Sequence, residues 1–181
     1  MRTNVAVDKN SPEYLAKQVA SGRYSLLLVV IFTTVNLLFL LLNVDRYFLF
    51  SASVPFYMTL ICKSIDNGFS GSLDATGTFT IIALVISVVI LGLYLLCWIM
   101  SKKRSGWLTA ALVLFVLDTV ALLAVTVLLL GSVAENLMDY LFHAWAIFSL
   151  VQAISANGKL KKLQAEAMIT PEGYHGTTPE L

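Results

Sequence analysis

The sequence predicts an all-α integral membrane protein: four transmembrane helices in a bundle, with an interfacial or re-entrant helical segment between helices 1 and 2. Three observations predict it. The chain is 58% hydrophobic and 13% charged, with a mean hydropathy of +0.82. Soluble domains carry about 25% charged residues, so too little polar surface remains to cover a globule in water. Four apolar runs reach the roughly 20 residues that cross a bilayer core. The basic residues also sort to one side of the membrane when four crossings are drawn.

The elements follow in order. Residues 1–23 form a cytoplasmic leader. Its Ser11-Pro12-Glu13 reads as a helix N-cap followed by Pro at the first helical position. A short amphipathic helix from Pro12 to Arg23 would lie along the inner surface, with Tyr14, Leu15 and Val19 on one side. The transmembrane domain covers 24–156, with spans at 24–44, 78–100, 107–131 and 137–156 and an outer loop at 45–77. The first span exceeds the roughly 7–15 apolar residues of a signal peptide, so it is read as retained.

Within the outer loop, Tyr47–Cys62 is apolar but short, and Pro55 interrupts it. Its aromatics, Tyr47, Phe48, Phe50, Phe56 and Tyr57, suit headgroup depth. Asp66–Gly77 is rich in Gly, Ser and Asp and reads as a loop. The link at Ser132–Asn136, holding Glu135, is short, which makes the third and fourth helices antiparallel neighbours. Residues 157–181 continue the fourth helix through a basic stretch and then form a disordered tail.

Ten of the twelve basic residues fall on one side: Arg2, Lys9, Lys17, Arg23, Lys102, Lys103, Arg104, Lys159, Lys161 and Lys162. Arg46 and Lys63 fall on the other. The positive-inside rule makes the richer side cytoplasmic, so both termini are cytoplasmic. Small size and short loops suggest a bacterial cytoplasmic membrane. The expected partners are the lipid bilayer, anionic lipids at Lys102, Lys103, Arg104 and at Lys159, Lys161, Lys162, and another membrane protein or a second copy. No basic groove for nucleic acid is present.

Asp118 is the most informative residue. It sits near the middle of the third span, where an Asp costs about 2.5–3.5 kcal/mol on insertion scales. It therefore needs a partner, water or a proton. Depth along the helices places Thr33, Asn36 and Ser87 near it, with His143 closer to the outer face and about two turns away. Each span carries one polar or small stripe: Thr33, Asn36 and Asn43; Thr80, Ser87 and Tyr94; Ala111, Asp118 and Ala121; His143, Ala146, Ala153 and Ala156, with Ser149 and Gln152 beside them. Spacings of three, four and seven stack residues on one helix face, so these faces are expected to meet. The candidate intramembrane polar core is Asp118, Asn36, Ser87, Thr33 and His143.

No catalytic constellation, metal site or cofactor motif is legible. Cys62 and Cys97 lie near opposite membrane faces and make no CxxC or Cys/His pattern. Gly68-Phe69-Ser70-Gly71 is similar to the serine motif of rhomboid intramembrane proteases. That resemblance implies hydrolysis by Ser70 with His143 as base. The chain departs from the family in helix number, in placing Ser70 in a loop, and in lacking glycines after the His. The leading expectation is a non-enzymatic scaffold, assembly factor or accessory subunit. The alternative is a proton-linked small-solute transporter or channel component using Asp118.

Overall fold

The structure, a computed structural model, describes residues 8–70, 77–130 and 136–169. Five helices follow one another: α1 Pro12–Leu41, α2 Ser53–Ser70, α3 Thr78–Met100, α4 Gly106–Val125 and α5 Leu137–Ile169; α4 continues as a π-helical stretch, Thr126–Leu130. Among the described residues there is no strand. Four helices (α1, α3, α4 with its extension, and α5) are long and apolar enough to cross a membrane. The expected loop at 71–76, the link at 131–135 and the tail from 170 lie outside the described residues.

α1 starts where the sequence signals it. Ser11 caps it by accepting the Tyr14 N–H at 3.3 Å, and Pro12 occupies the first turn. The expectation of a separate surface helix at Pro12–Arg23 is corrected: leader and first span are one helix of 30 residues. The reason is continuous packing. Leu15, Gly22, Ser25, Leu26 and Val29 are buried along one line, and α1 lies along α5. A Cβ on Gly22 would come within 2.4 Å of the Ala153 Cβ, so the two backbones nearly touch. A Ser25–Ser149 hydroxyl bond of 2.9 Å joins them just beyond.

α1 ends at Leu41 rather than at Val44. Asn43 turns the chain with a left-handed φ of 54°, a conformation that Asn tolerates better than most residues. The Lys63 ammonium donates to the Leu40 carbonyl at 2.8 Å and to Asn43 Oδ1, so a cation sits at the negative end of the helix.

The end at which α1 finishes and α3 begins is here termed the upper end. From it, residues 44–52 run back down beside α1 without helical structure. Phe48 stacks on Phe39 and Phe32, with centroids at 5.8 and 5.2 Å. Phe50 meets Phe142 and Trp145 of α5 at 4.0 and 5.4 Å. α2 then climbs back to the upper end, packed mainly on α3 and also on α1 and α4. It runs through Asp66 to Ser70, so the expected loop there is corrected to helix.

α2 is polar inward. Thr59, Lys63 and Asp66 are buried while Ile61, Ile65 and Phe69 are exposed. Below α2, Leu26, Tyr94, Leu108, Ala111, Phe115 and Leu150 belong to an apolar core.

Candidate functional site

The foot of α2 is where the buried polar residues converge. The first N–H groups of any helix lack intrahelical acceptors. In α2 the acceptor comes from another element. Asp118 Oδ2 accepts the Ser53 N–H at 2.7 Å, and its Oδ1 accepts the Val54 N–H at 2.8 Å. The next residue is Pro55, which has no N–H to satisfy. A carboxylate at a helix N-terminus also meets the positive end of the helix dipole. Asp118 is thus an N-cap supplied from a residue 65 positions away.

His143 completes the centre. Its Nε2 lies 3.1 Å from Asp118 Oδ2 and 3.3 Å from Ser53 Oγ. Its Nδ1 lies 2.8 Å from the Asp139 carbonyl. A carbonyl only accepts, so Nδ1 carries a proton. The Nε2–Oδ2 contact then needs one further proton, held by either atom. Asp118 and His143 together are neutral in both cases. The imidazole also stacks on Phe115, with centroids 4.8 Å apart and rings inclined by 18°. Asp118 and His143 are only 3% and 1% exposed.

Two clamps hold the descending segment above this centre. Asn36 donates to the Phe48 carbonyl at 2.7 Å and to Ser51 Oγ at 2.8 Å, and its own Oδ1 accepts the Phe48 N–H at 2.8 Å. Thr33 Oγ1 accepts the Ala52 N–H at 2.7 Å and donates to the Val29 carbonyl at 2.6 Å. On the α3 side, Ser87 Oγ lies 3.2 Å from Thr59 Oγ1, and both hydroxyls donate to the Pro55 carbonyl.

At the top of α2, Asp66 caps α3. Its carboxylate accepts the Thr80 N–H at 2.7 Å, the Thr80 hydroxyl at 2.6 Å and the Phe79 N–H at 3.3 Å. A side chain on Gly77 would strike Asp66 at 2.4 Å. Burial pushes the Asp66 carboxyl up. The bonds from Thr80, Phe79 and Gly77 outweigh burial and hold it below the usual carboxylate range.

All five candidate core residues are buried. They do not form one mutual layer. Asp118 and His143 meet directly, whereas Thr33, Asn36 and Ser87 each grip the 48–59 segment that lies between the helices. Counting depth from helix ends set His143 two turns from Asp118; the pair in fact touches. The reason is that α5 begins level with Thr126, whose Oγ1 accepts from Asn136 at 3.2 Å. From that level Asp118 and His143 lie about 12 and 10 Å along their helices.

Sequence reasoning missed Ser53, Lys63, Asp66 and Asp139. The available signal was Pro55, read as a break although it marks a helix start. Of the aromatics expected at headgroup depth, Phe48 packs against α1 and Phe50 against α5.

The geometry is that of a cap rather than a nucleophile relay. A relay sets the acid on one imidazole nitrogen and the hydroxyl on the other. Here both face Nε2, and the Ser53 and Val54 N–H groups that could hold an oxyanion are taken by Asp118. Ser70 is separated from Ser53 along α2 by about 25 Å of rise, so it does not meet His143. A cavity of about 350 Å³ between α2 and α4 touches Ser53 but is otherwise lined by Val54, Met58, Ile61, Leu122 and similar residues. Neither Asp118 nor His143 lines it. Both cysteines are free thiols. Among the described residues no group of His, Cys, Asp or Glu could hold a metal ion.

Compared with protein-family models, curated proteins and solved structures, the chain matches none at a significant level.

Proposed function

We propose that the chain is an integral membrane protein with four spanning helices, both termini cytoplasmic and a re-entrant segment at 44–70. In this reading it works as a non-enzymatic scaffold, assembly or accessory subunit that associates with another membrane protein or a second copy. The inside-out character of α2 supports the membrane reading: Thr59, Lys63 and Asp66 are buried while Ile65 and Phe69 are exposed at 40% and 82%. Water would reverse that preference. Exposed Val85, Val88, Leu117, Val120 and Phe148 on α3, α4 and α5 also suit lipid. A non-helical segment at membrane depth is tolerated where protein or a water-filled cavity satisfies its backbone. Asn36 and Thr33 do so here.

One observation carries the functional reading. The Asp118 carboxylate is consumed by the Ser53 and Val54 N–H groups and by His143. Its oxygens are therefore committed to holding α2 in place instead of facing a solute path. The test compares wild type with Asp118→Asn in liposomes, following thermal stability and proton-driven solute flux. The expected result is a less stable variant and no flux in either. Flux in wild type that vanishes in a folded variant overturns the reading in favour of proton-linked transport. That second reading has one observation of its own: Asp118 Oδ2 and His143 Nε2 lie 3.1 Å apart, the kind of carboxylate–imidazole contact that proton relays use.

A further inference from the structure

Toward the lower end, opposite α2, the first half of α1 and the end of α3 border a small basic pocket that the polar centre does not use. Its volume is about 140 Å³, and it is lined by Ala20, Arg23, Tyr24, Trp98 and Lys102. Arg23 is fixed on one edge. Its Nε donates to Ser101 Oγ at 2.9 Å, and one Nη2 hydrogen goes to the Trp98 carbonyl at 3.3 Å. Ser101 Oγ donates to the same carbonyl at 2.7 Å. A guanidinium has five N–H donors, so three remain. The Lys102 ammonium and the Arg23 guanidinium each lie 5.8 Å from the Trp98 ring. Among the described residues neither cation has a carboxylate partner.

We infer that this pocket binds the phosphate of an anionic phospholipid headgroup. Part of the positive charge answers the carbonyl end of α3. Two full cations exceed that partial charge and leave a net positive cup. A planar guanidinium with donors free suits a phosphate oxygen pair. Tyr24, two-thirds exposed, and Trp98 are amphipathic rings of the kind found at headgroup depth. Basic pockets between helices on the cytoplasmic side recognise anionic headgroups in general. The assignment rests on the membrane reading above, which places this end in the cytoplasmic leaflet. It differs from the diffuse attraction expected of Lys103, Arg104 and the α5 lysines, because the donors here are preorganised around a cavity.

The test is native mass spectrometry of the full chain in detergent, with phosphatidylglycerol or phosphatidylcholine added in equal amounts. Wild type is expected to retain one phosphatidylglycerol in preference to phosphatidylcholine. Lys102→Gln, an exposed position that leaves the fold intact, and Arg23→Gln should each lower that retention about fivefold, the effect of a single basic contact near an anionic surface. Lys103→Gln should leave it unchanged. Equal retention of both lipids, or an equal loss with Lys103→Gln, overturns the pocket. Displacement by millimolar inorganic phosphate also overturns it, by assigning the site to a soluble anion. A chain that resists alkaline extraction from membranes yet shows no headgroup preference loses only this inference. A chain released by alkali loses the membrane reading itself.

Discussion

Asp118 converts a liability into an anchor. A carboxylate buried this fully is costly alone, and so are the unpaired N–H groups at the start of a helix; each satisfies the other. Removing it leaves the Ser53 and Val54 N–H groups and His143 without their acceptor. Asp118→Ala is expected to cost about 3–5 kcal/mol, the usual penalty for breaking a buried pair. Because Asp118 and His143 form one unit, the losses from Asp118→Ala and His143→Ala should not add. A double-mutant cycle by reversible unfolding in detergent should show a coupling of about 0.5–3 kcal/mol; strictly additive losses would show the two residues to be independent. Asp66 makes a separate prediction. Its folded pKa lies below the ordinary value of about 3.9. Its stabilising effect is therefore complete above that value and is lost as pH falls through the lower folded one. Thermal melts of wild type should fall more steeply on acidification below about pH 4 than those of Asp66→Asn. Parallel curves would count against the cap.

At the scale of elements, the α1–α5 contact depends on missing volume. Gly22→Ala pushes a methyl into Ala153 and toward the Ser149 carbonyl, which lies 3.1 Å from the new atom. The expected loss is about 1–3 kcal/mol, as for other overpacked sites. Adding Ala153→Gly should restore part of it. Gly92 is the control: a Cβ there meets nothing within 4 Å, so Gly92→Ala should be neutral or stabilise by up to about 1 kcal/mol through helix propensity. Melting temperatures of the three variants beside wild type decide both points. The long helices were legible because a run of about 20 apolar residues marks a helix long enough to cross a membrane. A helical segment between the first two long helices was legible as well; the bounds of α2 were not, since its apolar residues face outward and its polar ones inward, the opposite of what a search for a core assumes. Pro55 was taken as a break because a proline interior to a helix usually is one; in a first turn the same residue costs nothing. The polar residues were legible as a set, through their spacing. Their true partner was not, because the 48–54 backbone that they bind leaves no mark on side-chain patterns.

For the whole molecule, charge and fold agree on which residues share an end. Lys161 reaches Ser105 at 2.7 Å and Arg23 reaches Ser101, so the start of α1, the α3–α4 link and the α5 extension gather together. Lys63 sits at the opposite end with the close of α1. Reporter fusions at each terminus should therefore both read cytoplasmic; an external signal from either would break the four-crossing topology. The distance in sequence between α2 and its anchors has a further consequence, for biogenesis. Ser53 leaves the ribosome 65 residues ahead of Asp118 and 90 ahead of His143. At about 5–20 residues per second, the second helix made waits several seconds for the groups that seat it. In the proposed membrane reading, its foot lacks the Asp118 acceptor until α4 and α5 are in place, and until then it must stay where water can serve. On that reading the segment at 44–70 is among the first parts synthesised and docks only once α4 and α5 are present.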